Sequence, residues 1–119
     1  MMSITEFIAV IRPQPSDLSF QLVMDTIDEH YDYTPAEFRN GIGDDCVVNA
    51  AGSNEGSCRI FAFAKLNNFS EAETLICFGQ HYRTVLSTPQ DTNHANIRTF
   101  MRHGWKGIDF SSTALVEKK

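Results

Sequence analysis

Signals that start helices recur along this chain, and they constrain its fold more than any other feature. Ser3-x-x-Glu6 and Ser70-x-x-Glu73 are capping boxes. In each, the hydroxyl accepts from the amide three residues on and the glutamate returns to the cap amide. Thr34-Pro35-Ala36-Glu37 places a cap, a proline at the first helical position and an acid at the third. Ser16, just past Pro13 and Pro15, reads as another start. Apolar residues at helical spacing follow these caps: Phe7, Ile8 and Ile11; then Leu18, Phe20, Leu22, Val23 and Ile27, ending near Tyr31. Phe38 anchors a short turn closed by Asn40-Gly41, and Ser57 caps a segment with Ile60, Phe61, Ala64 and Leu66 inward. A long helix from Ser70 runs through Leu75, Ile76, Phe78, Tyr82 and Leu86 until Pro89 stops it. Thr92 or Asn93 opens the last one, with Ile97, Phe100 and Met101 on one face and Gly104 as its left-handed end.

The expected fold is therefore all-α: a compact single domain over 1–119, a bundle of about six helices. The run Ile60–Ala64 is also apolar enough for a buried strand, so the alternative is α+β with a short hairpin around 45–64. Residues 41–56, with four glycines, read as a loop containing a short extended piece at Cys46-Val47-Val48. Trp105, Ile108 and Phe110 form a last apolar patch, and residues 116–119 are expected to fray.

Composition narrows the function classes. A net charge of −5 disfavours nonspecific binding to nucleic acid, which needs clustered cations. No apolar run approaches the roughly 18 residues of a membrane span, and Glu6 inside MMSITEFIAVIRP rules out a secretory signal. The cysteines Cys46, Cys58 and Cys77 are odd in number and lack CxxC spacing, as expected of reduced thiols in a cytoplasmic protein. Nine phenylalanines against three tyrosines and one tryptophan predict an aromatic core with few polar groups to satisfy.

Residues able to carry chemistry form three sets. The glycine loop NAAGSNEGS, with Asn54, Ser57 and Arg59, offers backbone amides at a helix start and a positive charge, the ingredients of an anion site. Its spacing is not that of a nucleotide-binding loop, and no cofactor is expected. His81, Arg83, His94, Asn96 and Arg98 could line one cleft with that loop. Asp25, Asp28 and Asp32 share a face at i, i+3 and i+7 if the helix continues, an alternative metal site beside His30. Cys58 or Ser57, with His81 or His94 as base, would be the nucleophile of an enzyme.

Taken together, HYDYTP (30–35), FRNG (38–41), NAAGSNEGSC (49–58) and FAFA (61–64), with His94, Asn96-Ile97-Arg98 and Gly104-Trp105, resemble the HopJ family. These are bacterial proteins named after a type III effector of a plant pathogen. The likeness spans residues 16–115 and carries no catalytic residue over. It implies a binding or interaction module, one that would meet a host protein if translocated by a type III system. A small enzyme, or a metal-dependent ligand-binding protein, with a polar cleft between 52–59 and 81–98 is the alternative. The oligomeric state is left open.

Overall fold

The structure is a computed structural model that describes residues 2–118. Its order is α1 (Ile4–Ile11), α2 (Phe20–His30), β1 (Tyr31–Tyr33), β2 (Phe38–Ile42), β3 (Asp45–Asn49), α3 (Glu55–Leu66), α4 (Glu71–Ile76), α5 (Gln80–Ser87), α6 (Ala95–His103), a 3₁₀ turn (Gly104–Gly107), β4 (Ile108–Phe110) and β5 (Leu115–Glu117). Two small antiparallel sheets accompany the helices, one ordered β3-β2-β4 and the other pairing β1 with β5. The fold is thus α+β, and the all-α expectation is wrong.

The centre of the molecule is α3. Cys58 and every residue from Ile60 to Ala64 are buried, so this helix is apolar all round rather than amphipathic. That explains why Ile60–Ala64 carries no clear period: it is a helix, and the hairpin lies outside it. Phe61 and Phe63 leave α3 in opposite directions and anchor two aromatic clusters. Phe61 packs on Phe38, Phe78, Phe100 and Trp105. Phe63 packs on Phe7, Tyr31 and Phe69. The first cluster joins α3 to the three-stranded sheet and α6; the second joins it to α1 and the β1–β5 ribbon.

The hairpin lies at 38–49, with Phe38 opposite Asn49 and Ile42 opposite Asp45. Its two-residue loop is Gly43-Asp44, with Gly43 at φ +59°, the positive φ that tight hairpin turns require. Along β2 the buried positions are Phe38 and Asn40, with Arg39 exposed between them. An asparagine on the buried face hides the alternation that would mark a strand. The start signal at Thr34-Pro35 leads into this strand, because a turn closed by Gly41 is too short to bury Phe38, whereas β2 packs it against Phe61 and Phe110. The extended piece expected at Cys46–Val48 is part of β3. The Trp105–Phe110 patch becomes the 3₁₀ turn and β4, and residues 115–117 pair with β1. Lys119 lies outside the described residues.

Two further corrections concern helices. Ser19, not Ser16, caps α2. The long helix from Ser70 is two, α4 and α5, separated at Gly79. Gly79 has φ +58° and ψ −129°, and a Cβ there would come within 2.4 Å of the Phe20 amide nitrogen and 2.8 Å of the Leu18 carbonyl oxygen. Both capping boxes, at Ser3 and Ser70, form as the sequence predicts.

Polar clamps hold the periphery. Arg12 donates to Glu73 at 2.6 Å, tying α1 to α4. Asp45, at the base of the hairpin turn, accepts from Arg102 Nε at 2.7 Å and pairs with His103 Nε2 at 2.7 Å. The Arg102 and His103 hydrogen bonds hold the Asp45 carboxyl down at about 2. Because that value lies below the unfolded one, the contribution is present above about pH 4 and is lost as pH falls towards 2. The Asp45→Asn variant is expected to unfold with a shallower acid dependence than the parent, measured by denaturant titrations from pH 2 to 6. The Gly79→Ala variant is expected to lose about 1–3 kcal/mol from backbone strain alone, with the clash against Phe20 and Leu18 adding to it, read as a lower denaturation midpoint.

Candidate functional site

Four helices begin around one pocket. Phe20 opens α2, Asn54, Gly56 and Ser57 form the start of α3, His81 lies in the first turn of α5, and His94 to Ile97 start α6. Val47 of β3 and Phe78 complete the wall of a cavity of about 360 Å³. Asn54 and His94, the residues preceding α3 and α6, have φ of +52° and +53°, and neither side chain caps its own helix. An ordinary N-cap residue is extended and turns its side chain onto the helix amides. In the left-handed conformation the side chain is turned elsewhere, so two of the helix starts that line the cavity have no side-chain cap.

The left-handed turns are held by asparagines. Asn49 Nδ2 donates to Asn96 Oδ1 at 3.1 Å while Asn96 Nδ2 donates to Asn49 Oδ1 at 2.9 Å, a reciprocal amide pair. Asn54 Nδ2 donates to the same Asn49 oxygen at 2.7 Å. Asn40 Nδ2 donates to the Asn96 carbonyl at 2.8 Å and to Asn96 Oδ1 at 3.0 Å. Asn40 and Asn49 are essentially fully buried, and Asn96 is buried. The network therefore connects β2, β3, α3 and α6 directly behind the pocket. Gly56 is needed for a different reason. A Cβ on it would stand 2.8 Å from the Phe20 ring, so glycine lets that ring close the pocket.

His81 and His94 face each other, their ring centroids 5.2 Å apart and the rings tilted by 40°. Phe20 meets His81 edge-on at 4.7 Å. Burial, and secondarily the neighbouring His94, lower the pKa of His81 and favour its neutral form. Among the described residues neither imidazole has a hydrogen-bond partner.

Of the eight residues singled out in the sequence, five meet here: Asn54, Ser57, His81, His94 and Asn96. The three arginines do not. Arg59 lies over the Tyr33 ring, 3.9 Å from its centroid, beside Asp28 at 3.1 Å. Arg83 donates to the Leu18 carbonyl at 3.0 Å. Arg98 spends its guanidinium on Asn93 and Thr88, four hydrogen bonds that fix the 88–93 loop. Each arginine is a tie between segments.

The alternative metal face is not assembled. Asp25 accepts from Gln21, Asp28 sits beside Arg59, and Asp32 lies in β1, beyond the end of α2. Among the described residues no three His, Cys, Asp or Glu side chains are grouped to hold a metal. Cys58 is buried, and desolvation raises its pKa, opposite to what an activated thiol needs. Cys77 is pushed up to about 12 by burial. Sequence reasoning missed Phe20, Val47 and Phe78 as walls and Asn40 and Asn49 as supports. The signal for Asn40 is a polar residue alternating with Phe38 in a strand, legible only once the strand is recognised.

The HopJ type III effector protein family profile matches residues 4–115. The chain belongs to this family. The match takes in α1, twelve residues ahead of where the motif resemblance begins. Among solved structures, the HopJ fold described here is similar to that of VPA0580, described as a protein of unknown function, with a TM-score of 0.92 and 42% identity over 98% of this chain and 95% of that one. A search among curated proteins finds no match. No helix among the described residues is long and apolar enough to cross a membrane.

Replacing Asn96 by alanine breaks the amide pair and strands buried groups on Asn49 and Asn40. A loss of about 1–3 kcal/mol for each group left unpaired is expected, measured by chemical denaturation.

Proposed function

We propose that this HopJ domain is a binding module whose ligand is a small polar molecule seated between the starts of α3, α5 and α6. The observation that carries this reading is the convergence of uncapped helix starts and two unpartnered imidazoles on one cavity. A fold that only needed stability would cap those helices, as it caps α1, α2 and α4 with serines. The buried asparagine network supports the reading, since it holds the pocket's backbone in place without filling the pocket. Apolar contact is available from Phe20, Val47 and Phe78, in keeping with the mixed walls of ligand sites.

A larger groove, about 560 Å³, runs between Ala62, Leu66, Phe110 and Leu115. Among its described lining residues Lys65 is the one ionisable side chain, beside the hydroxyls of Ser112 and Thr113. The type III effector role, with a host protein as partner, draws its support from the family description, and the pocket supplies the chemistry such a module would use.

The test is a protein-observed NMR titration with separate probes: sulfate, acetate, ribose, adenosine and zinc chloride. At least one is expected to shift the amides of Gly56, Ser57, Ala95 and Asn96 as a group. Shifts confined to the Ala62–Leu66 groove, or none with any probe, would overturn the reading.

A further inference from the structure

We infer that the pocket takes an oxyanion, a sulfate, phosphate or carboxylate group, and takes up a proton at the His81–His94 pair as it does so. This rests on the binding-module reading and specifies its ligand class.

Two imidazoles 5.2 Å apart in a cavity can answer three kinds of ligand. A divalent metal would use their lone pairs. A neutral polar molecule would use one as donor and one as acceptor. An oxyanion would take an N–H from each ring, and the positive charge of a protonated ring strengthens that bond. The surroundings separate these. The first turns of α3 and α6 line the cavity, and their N-terminal dipoles present positive potential to whatever sits there, with the Ile97 amide already bonded to the His94 carbonyl. That potential repels a cation and attracts an anion. Among the described residues no carboxylate lines the cavity to complete a metal site. Glu55, the acid nearest in sequence, is turned away to accept from the Tyr33 hydroxyl. Ser57 adds a neutral hydroxyl donor, while the side-chain amides of Asn54 and Asn96 are engaged with Asn49.

The histidines set the pH behaviour. The other walls, Phe20 of α2, Val47 of β3, Ser57 of α3 and Asn96 of α6 among them, carry no titratable group, so His81 and His94 are the pair that responds. Burial, and secondarily the neighbouring His94, disfavour a charge on His81. An anion between them reverses the like-charge cost and raises both pKa values. A ligand that raises a pKa binds more tightly as pH falls, by up to about tenfold per pH unit for each proton taken up. Arg59, Arg83 and Arg98 are engaged elsewhere, so no permanent cation masks this dependence.

Sulfate is the suitable probe, because its charge is constant from pH 5 to 8. Its dissociation constant, followed by NMR at pH 5.5, 6.5 and 7.5, is expected to rise about tenfold across that range. The Cε1–H resonances of His81 and His94 should titrate at higher pH with sulfate present, while those of His30 and His103, bonded to the Met2 carbonyl and Asp45, should not move. His94→Gln should bind sulfate more weakly at pH 5.5 and show a shallower pH dependence, with a dispersed spectrum verifying its fold. A pH-independent constant, or histidine titrations indifferent to sulfate, overturns the oxyanion assignment. So does zinc binding at the pair with no response to sulfate. If ribose or adenosine shifts the same amides while sulfate does not, the oxyanion fails and the binding module stands; silence from every probe fails both.

Discussion

The reciprocal amide pair between Asn49 and Asn96 is the interaction on which the rest of the arrangement depends. It crosses from the end of β3 to the first turn of α6, and Asn40 and Asn54 extend it to β2 and the start of α3. Three consecutive elements, β2, β3 and the start of α3, are thus tied to the distant α6 at side-chain amides. Mutual hydrogen bonds among buried amides are directional, so the network admits few geometries, although among the described residues Asn40 Oδ1 is left without a partner. An apolar contact of similar size would tolerate sliding of α6 along the sheet, but this pair does not. The aromatic clusters around Phe61 and Phe63 supply the burial; the asparagines supply the register.

That register has a consequence for the helix starts. Asn54 and His94 both adopt the left-handed conformation, which asparagine and histidine occupy more often than most residues. Each forgoes a side-chain cap worth about 1 kcal/mol to its helix. Spending polar groups on the support and leaving helix starts uncapped at a cavity is what a preorganised ligand site requires, since donors already in place need no rearrangement on binding.

Much of this is legible in the sequence, and the failures are instructive. Ser3, Ser70 and Gly104 mark helix ends correctly, because capping is local chemistry. The strands are lost because their buried positions are polar, as at Asn40, or their segments are three residues long, as in β1, β4 and β5. The Gly43-Asp44 loop between Ile42 and Asp45 does carry a hairpin signature, overshadowed by the Thr34-Pro35 start signal. At the site, small polar residues and histidines can be grouped from sequence, but the arginines cannot. A long cationic side chain reaches in any direction, and Arg59, Arg83 and Arg98 each find a structural partner. His30 and His103 are likewise absorbed by the fold, leaving His81 and His94 as the pair without partners.

The ribbon formed by β1 and β5 bears on how the chain acquires its structure. Tyr31 pairs with Glu117 and Tyr33 with Leu115, and Thr34 donates to the Ala114 carbonyl, so the second cluster is closed by contacts spanning most of the chain. Such contacts are slow to form, because the entropy of a large loop is lost before they contribute. During synthesis the α1, α2 and α3 surfaces around Tyr31 and Phe63 must wait for the last strand to arrive. The β1–β5 ribbon therefore closes late, once residues 114–117 are available to pair with residues 31–34.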